Sequence, residues 1–280
     1  MAIFWALSCM ILAALNDLVF KFYARKPRSQ GYFVSIVGGV WMITGMCFVR
    51  QFDVNWQSTI LWGAISGFFS VGGNLLMLDA MRSLDAGVCS TIYRLNLVPV
   101  TIGAAVLLGE NISLQQYIGI SCACGAVAAF LPRERSGKIM QTAFVMMIIA
   151  SLMRAGMGLS YRYGFLHGAD ENWVVVVNSL FWIFGGLFYG KVRKTENDNQ
   201  TDIKKLWGYA LLSGVLVAGI VLTMAQSLVC GAASVVLPIA QMSFLVTGIL
   251  GAILLKEKIT FMRVIALLLG VAAILLLSIK

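Results

Sequence analysis

Two arginines dominate the chemistry of this sequence, because each falls inside a stretch apolar enough to cross a bilayer. Arg94 lies near the middle of 84–110, and Arg154 lies deep in 139–163. An ionised group at that depth is costly unless it faces a protein interior, a partner or water. Helical spacing puts Ser90, Thr91 and Thr101 on the face of Arg94, and Ser151, Gly158 and Tyr161 on the face of Arg154. A guanidinium matches carboxylate and phosphate groups bidentately, so two deep arginines among few deep carboxylates predict an anion-recognising cavity. The competing expectation is that each arginine is bonded internally, to backbone carbonyls or to a carboxylate such as Asp79.

Asp17 is the membrane carboxylate best placed for proton coupling. It precedes Lys21 by four residues, and that spacing predicts an Asp17–Lys21 pair on one helix face. Asn74 and Gln241 share faces with small residues, and Tyr93, Trp182 and Trp41 offer rings to an aromatic solute. Pro99 and Pro238 free backbone carbonyls and predict kinks in their spans. Nothing in the sequence calls for catalysis, a metal or a cofactor. His167 is the sole His, and the six Cys lie in or at the ends of apolar blocks, where such residues pack.

These residues need membrane helices to position them. Of the 280 residues, 60% are hydrophobic and 12% charged, and the mean hydropathy is +0.88. A soluble domain is nearer a quarter charged. The apolar residues fall in ten blocks, at about 2–22, 32–50, 57–80, 84–108, 113–131, 139–163, 172–190, 206–228, 232–255 and 260–279. Each approaches the roughly 20 residues a spanning helix needs. The expected fold is therefore an all-α membrane protein of ten transmembrane helices in one transmembrane domain. The net charge of +9 does not point to nucleic acid, because the Lys and Arg sit in short loops at membrane edges. The expected partners are membrane lipids and a small-molecule metabolite, and the expected state is a monomer or weak homodimer.

The chain also repeats itself. A shift of 147 positions places Ala86, Ile92, Ala105, Leu107, Leu108, Glu110 and Ile112 on Ala233, Ile239, Ala252, Leu254, Leu255, Glu257 and Ile259, and Arg94 on Gln241. Five spans precede the linker Pro132–Gly137 and five follow it. An odd number inverts the second copy, so residues 1–137 and 138–280 are expected to form inverted repeats, a recurring plan of transporters. Sixteen Lys and Arg, among them Arg25, Arg82, Lys138 and Arg263, fall in the odd-numbered loops. The positive-inside rule then puts those loops in the cytoplasm and both termini outside.

The residues resemble the drug/metabolite transporter superfamily, in its ten-helix EamA-type branch. Asn16-Asp-Leu-Val-Phe-Lys21 is similar to its first-helix pattern N-x-x-x-x-K. Ala80-Met-Arg-Ser-Leu-Asp-Ala-Gly87 is similar to its junction between helices 3 and 4, A-L-x-Y-x-x-A-G. Leu107-Leu-Gly-Glu110 and Leu254-Leu-Lys-Glu257 resemble its L-L-G-E ending, with Lys256 in place of the second Gly. The resemblance implies a secondary transporter with a central cavity lined by helices 1, 3, 4, 6, 8 and 9, working by alternating access. The expected cargo is a small anionic or zwitterionic metabolite, such as an amino acid, crossing the plasma membrane. The expected binding residues are Arg94, contacting the anionic group, Arg154, assisting it, and Tyr93, Asn74, Gln241, Trp182 and Tyr161, with Asp17 as the coupling candidate. The alternatives are a proton-coupled exporter of cationic compounds or drugs, and a flippase that recognises a lipid headgroup.

Overall fold

The computed structural model describes residues 1–26, 28–49, 52–108, 112–129, 137–192, 203–230, 239–258 and 260–278. Every regular element among them is an α-helix: α1 (Ala2–Ala24), α2 (Gln30–Met46), α3 (Trp56–Ala80), α4 (Ala86–Arg94), α5 (Leu97–Leu108), α6 (Leu114–Ala129), α7 (Lys138–Leu166), α8 (Glu171–Val192), α9 (Ile203–Cys230), α10 (Ser243–Leu255) and α11 (Phe261–Ser278). Helices α4 and α5 are the two halves of the fourth span. Most of the expected linker, together with Glu110 and Pro238, lies outside the described residues.

Helices α3 and α8 begin where the sequence supplies caps. Asn55 accepts the amide of Ser58 at the start of α3. Asp170 accepts those of Asn172 and Trp173 at the start of α8. Ile3, Leu7, Ile11 and Leu15 form an exposed apolar row along α1, while Ala6, Cys9, Ala13 and Asp17 on other faces are buried. An apolar exterior around a core that holds polar groups is the arrangement lipid requires.

Lipid provides little hydrophobic drive between helices, so close backbone approach carries the packing. Helices α2 and α8 show it most clearly. A Cβ built on Gly31 would lie 2.3 Å from the amide nitrogen of Gly190, and one on Gly186 would lie 2.6 Å from the carbonyl oxygen of Gly31. Ser35 Oγ donates across the same seam to the Ile183 carbonyl, at 2.9 Å.

The main helix pairings are unchanged when the two halves are exchanged. α1 packs along α9 as α3 does along α7; α2 meets α9 as α8 meets α3; α1 meets α10 as α7 meets α4 and α5. The contacts α2–α8, α4–α10 and α6–α11 map onto themselves. Two inverted five-helix repeats thus interlock face to face, with spans 1, 4, 6 and 9 meeting at the centre.

Candidate functional site

The site begins with a broken helix. Pro99 has no N–H to give the Leu95 carbonyl, so that carbonyl takes the amide of Val98 instead, at 3.0 Å. Asn96 closes the end of α4: with its amide nitrogen turned toward the chain, it donates to the carbonyls of Tyr93 and Arg94, at 3.2 and 3.1 Å. The second half repeats the break in register. Leu245 N donates to the Met242 carbonyl at 3.0 Å, the same bond 147 residues on. Interrupted helices at equivalent places in two inverted halves mark the midplane site of many transporters. Arg94 precedes one break and Gln241 the other.

Arg94 is internally paired. Its Nη2 lies 3.5 Å from Asp17 Oδ2, and both side chains are almost wholly buried. The negative end of the α4 dipole also favours a cation there. The same Asp17 oxygen accepts from Ser90 Oγ at 2.6 Å and from Thr247 Oγ1 at 3.4 Å. One carboxylate therefore joins α1, α4 and α10, which belong to both halves. This corrects the expected Asp17–Lys21 pair. Lys21 Nζ instead donates to the carbonyls of Met81 and Leu84 in the turn between α3 and α4. Two backbone oxygens and a longer reach toward the membrane edge outcompete the carboxylate one helical turn away. Asp79 does not meet Arg94; it faces Arg82 at 3.9 Å and accepts a hydrogen bond from Tyr189.

Arg154 stands differently. Among the described residues no carboxylate pairs with it, and its Nη1 rests 3.5 Å from the Met157 sulfur. Its guanidinium carbon lies 5.8 Å from the Tyr93 ring centre, and that of Arg94 lies 5.9 Å from the same ring. The structure thus brings Arg94 and Arg154 to one aromatic ring, that of Tyr93, with Asp17 held on Arg94. Next to the break, between α4, α5, α6 and α7, lies an apolar cavity of about 350 Å³, bounded by Leu95, Pro99, Val127, Ile148 and Ser151.

The other sequence candidates belong to a second polar cluster. Tyr161 Oη accepts from Asn178 Nδ2 at 2.7 Å, which also faces Ser66 Oγ at 3.4 Å. Trp182 Nε1 donates to Ser70 Oγ at 2.8 Å, and its ring meets Trp41 edge to face. Asn74 Nδ2 returns to the Ser70 carbonyl, one turn back on its own helix, at 2.9 Å. These bonds join α3, α7 and α8. Gln241 keeps a buried Oε1 with no partner among the described residues.

Two residues important to the architecture were legible only as motif letters. Glu257 accepts the amides of Ala86 (2.7 Å) and Gly87 (3.4 Å), so the L-L-x-E ending of the second half caps the N-terminus of α4 in the first. Lys256, at φ 55 and ψ 37, occupies the left-handed region that favours glycine. Beside them Arg263 pairs with Asp85, and Arg25 donates to the Leu255 carbonyl at 3.2 Å. The ends of α1, α3, α4, α10 and α11 are tied together on that side.

The model of the EamA-like transporter family matches the chain twice, over residues 1–131 and 141–279. No curated protein matches it. Among solved structures, one described only as the crystal structure of a protein superimposes with a TM-score of 0.62 at 13% identity, covering 98% of this chain and 95% of that one. That likeness is one of fold. The duplicated match, falling on two halves that interlock around paired helix breaks, makes the chain a member of the EamA-like transporter family, a multi-pass membrane transporter of the drug/metabolite transporter superfamily.

Proposed function

We propose that the protein carries a small anionic or zwitterionic metabolite across the plasma membrane by alternating access, with Arg154 as the primary anchor for the anionic group. The observation that carries this reading is the inequality of the two deep arginines: Arg94 is neutralised by Asp17, whereas no carboxylate among the described residues faces Arg154. A substrate carboxylate or phosphate at Arg154 supplies the missing charge. Tyr93 gives the substrate body a ring to rest on, and Arg94 reaches a second anionic group if Asp17 releases it. Asn74, Trp182 and Tyr161 hold the adjoining walls, and Gln241 offers a buried acceptor, unpartnered among the described residues, to an ammonium or amide. The odd-numbered loops face the cytoplasm, as the distribution of Lys and Arg requires.

The test is a melting-temperature panel of anionic, zwitterionic, cationic and neutral metabolites, followed by uptake of the stabilising solutes into proteoliposomes. A ligand of the folded state raises the melting temperature. Hydrogen bonds to a charged group contribute about 1.5–3 kcal/mol. Arg154→Gln is therefore expected to weaken binding of anionic solutes about 10- to 150-fold. Hits confined to cations and unchanged in Arg154→Gln overturn the proposal. They favour the second reading, a proton-coupled exporter of cationic compounds, which the placement of Asp17 between both halves supports. Under that reading Asp17→Asn abolishes the dependence of transport on a pH gradient.

A further inference from the structure

We propose that the crevice between the end of α3 and the start of α7 is a headgroup site for an anionic phospholipid of the leaflet on that side. It is independent of the transport site. The crevice encloses about 420 Å³ and is lined by Asp79, Arg82 and Ser83 from α3 and its turn, and by Lys138, Thr142 and Met146 from α7.

Three observations carry the assignment. The first is charge. Asp79 is engaged by the Tyr189 hydroxyl and lies 3.9 Å from Arg82, and no carboxylate among the described residues pairs with Lys138, so the lining keeps a net positive charge. Gly137 gives α7 no side-chain cap, so the first amides of that helix add donors to the same end.

The second is the gradient of polarity. Arg82, Ser83 and Lys138 stand at helix ends, while Ala143 and Met146 line the crevice one to two turns further along α7, about 8–12 Å deeper in a helix that crosses the bilayer. Ile139, which also lines it, is 75% exposed. A molecule that fills this space is charged at the membrane edge and apolar below it. A phospholipid meets that description, and a free phosphate meets only its upper part.

The third is one-sidedness. The equivalent place in the other half is where the end of α9 meets the start of α1. There Gln226, Val229 and Cys230 stand at the registers of Asp79, Arg82 and Ser83, so the cation of Arg82 has no counterpart. The basic crevice therefore faces one leaflet only, the one that the positive-inside distribution makes cytoplasmic, where basic pockets between helices meet anionic headgroups.

The experiment is native mass spectrometry of the full chain in neutral detergent. Phosphatidylglycerol and phosphatidylcholine of identical acyl chains are compared, for the natural protein, Lys138→Gln, and Arg82→Gln/Lys138→Gln. Phosphatidylglycerol is expected to be retained in preference to phosphatidylcholine, with the preference falling about fivefold per cation removed. Melting temperatures without lipid report folding; Lys138 is exposed, so Lys138→Gln is the variant that keeps its fold if the double variant does not. Inorganic phosphate forms the third arm. Equal retention of the two lipids, a preference unchanged in Lys138→Gln, or stabilisation by inorganic phosphate equal to that by phosphatidylglycerol overturns the proposal, the last outcome making the crevice a site for a free anion.

Discussion

Lys256 shows how one residue reports on a motif. Where the first half reads L-L-G-E, the second half has lysine in place of glycine, and the chain leaves the helix there in a left-handed conformation, at φ 55. The amides of Lys256 and Glu257 both return to the Gly251 carbonyl, which closes the helix and aims the Glu257 carboxylate at the start of α4. A non-glycine residue in that conformation costs about 1–2 kcal/mol. Lys256→Gly is therefore expected to stabilise the protein by about 1 kcal/mol, after the greater freedom of glycine in the unfolded chain is subtracted. A rise in melting temperature checks it; an unchanged or lower value means that the lysine side chain offsets the strain. Asp17 carries a different lesson. Its spacing to Lys21 was correctly read as one helix face, but a face does not choose a partner: Arg94 and Ser90 approach from α4, and Lys21 has two carbonyls to satisfy.

Among elements, the α2–α8 seam depends most on residue size. Gly31 sits with its Cα against the backbone of Gly186 and Gly190, so a side chain there must separate two helices. Gly31→Leu is expected to destabilise the protein by at least about 1–3 kcal/mol, the usual cost of overpacking. Gly208→Leu is the control, because no atom lies within 4 Å of a Cβ at that position, and it is expected to cause no loss of stability, leucine being the better helix former. Melting temperatures of the two variants in the same detergent settle the comparison; equal losses would show that the close approach at the seam does not set the effect. The fourth span goes beyond the kink expected at Pro99 and breaks. Pro99 removes one donor and Asn96 satisfies the carbonyls that end α4, so the span becomes two helices with Arg94 at the junction. Thr101, expected on the face of Arg94, lies beyond that break.

At the scale of the whole molecule, the alternating path of the spans fixes which ends lie on one side. Arg25, Arg82, Lys138 and Arg263 share a side, and Cys47 and Cys230 lie on the other. If the odd-numbered loops are cytoplasmic, Cys47, which is exposed, reacts with a membrane-impermeant maleimide in intact cells. A cysteine introduced by Lys138→Cys in a background without the natural thiols reacts only after permeabilisation. The reverse pattern inverts the topology.

The sequence alone determined the class, the ten spans, the duplication and the family, because each is written in local or periodic features: apolar runs of membrane length, a repeat at fixed offset, and short motifs at helix ends. It also identified Arg94, Arg154, Tyr93 and Asp17 as residues of interest, since ionisable groups in apolar spans are conspicuous wherever they point. Tertiary structure decided who meets whom. Only the packing of α1 against α10, and of both against α4, paired Asp17 with Arg94 and left Arg154 without a carboxylate among the described residues. Only the meeting of the two halves put Glu257 on the first amides of α4, 171 residues away from Ala86. Helical spacing reports direction around one axis. The partner across an interface depends on the rotation and depth of two helices, which packing of small residues sets and no single stretch of sequence contains.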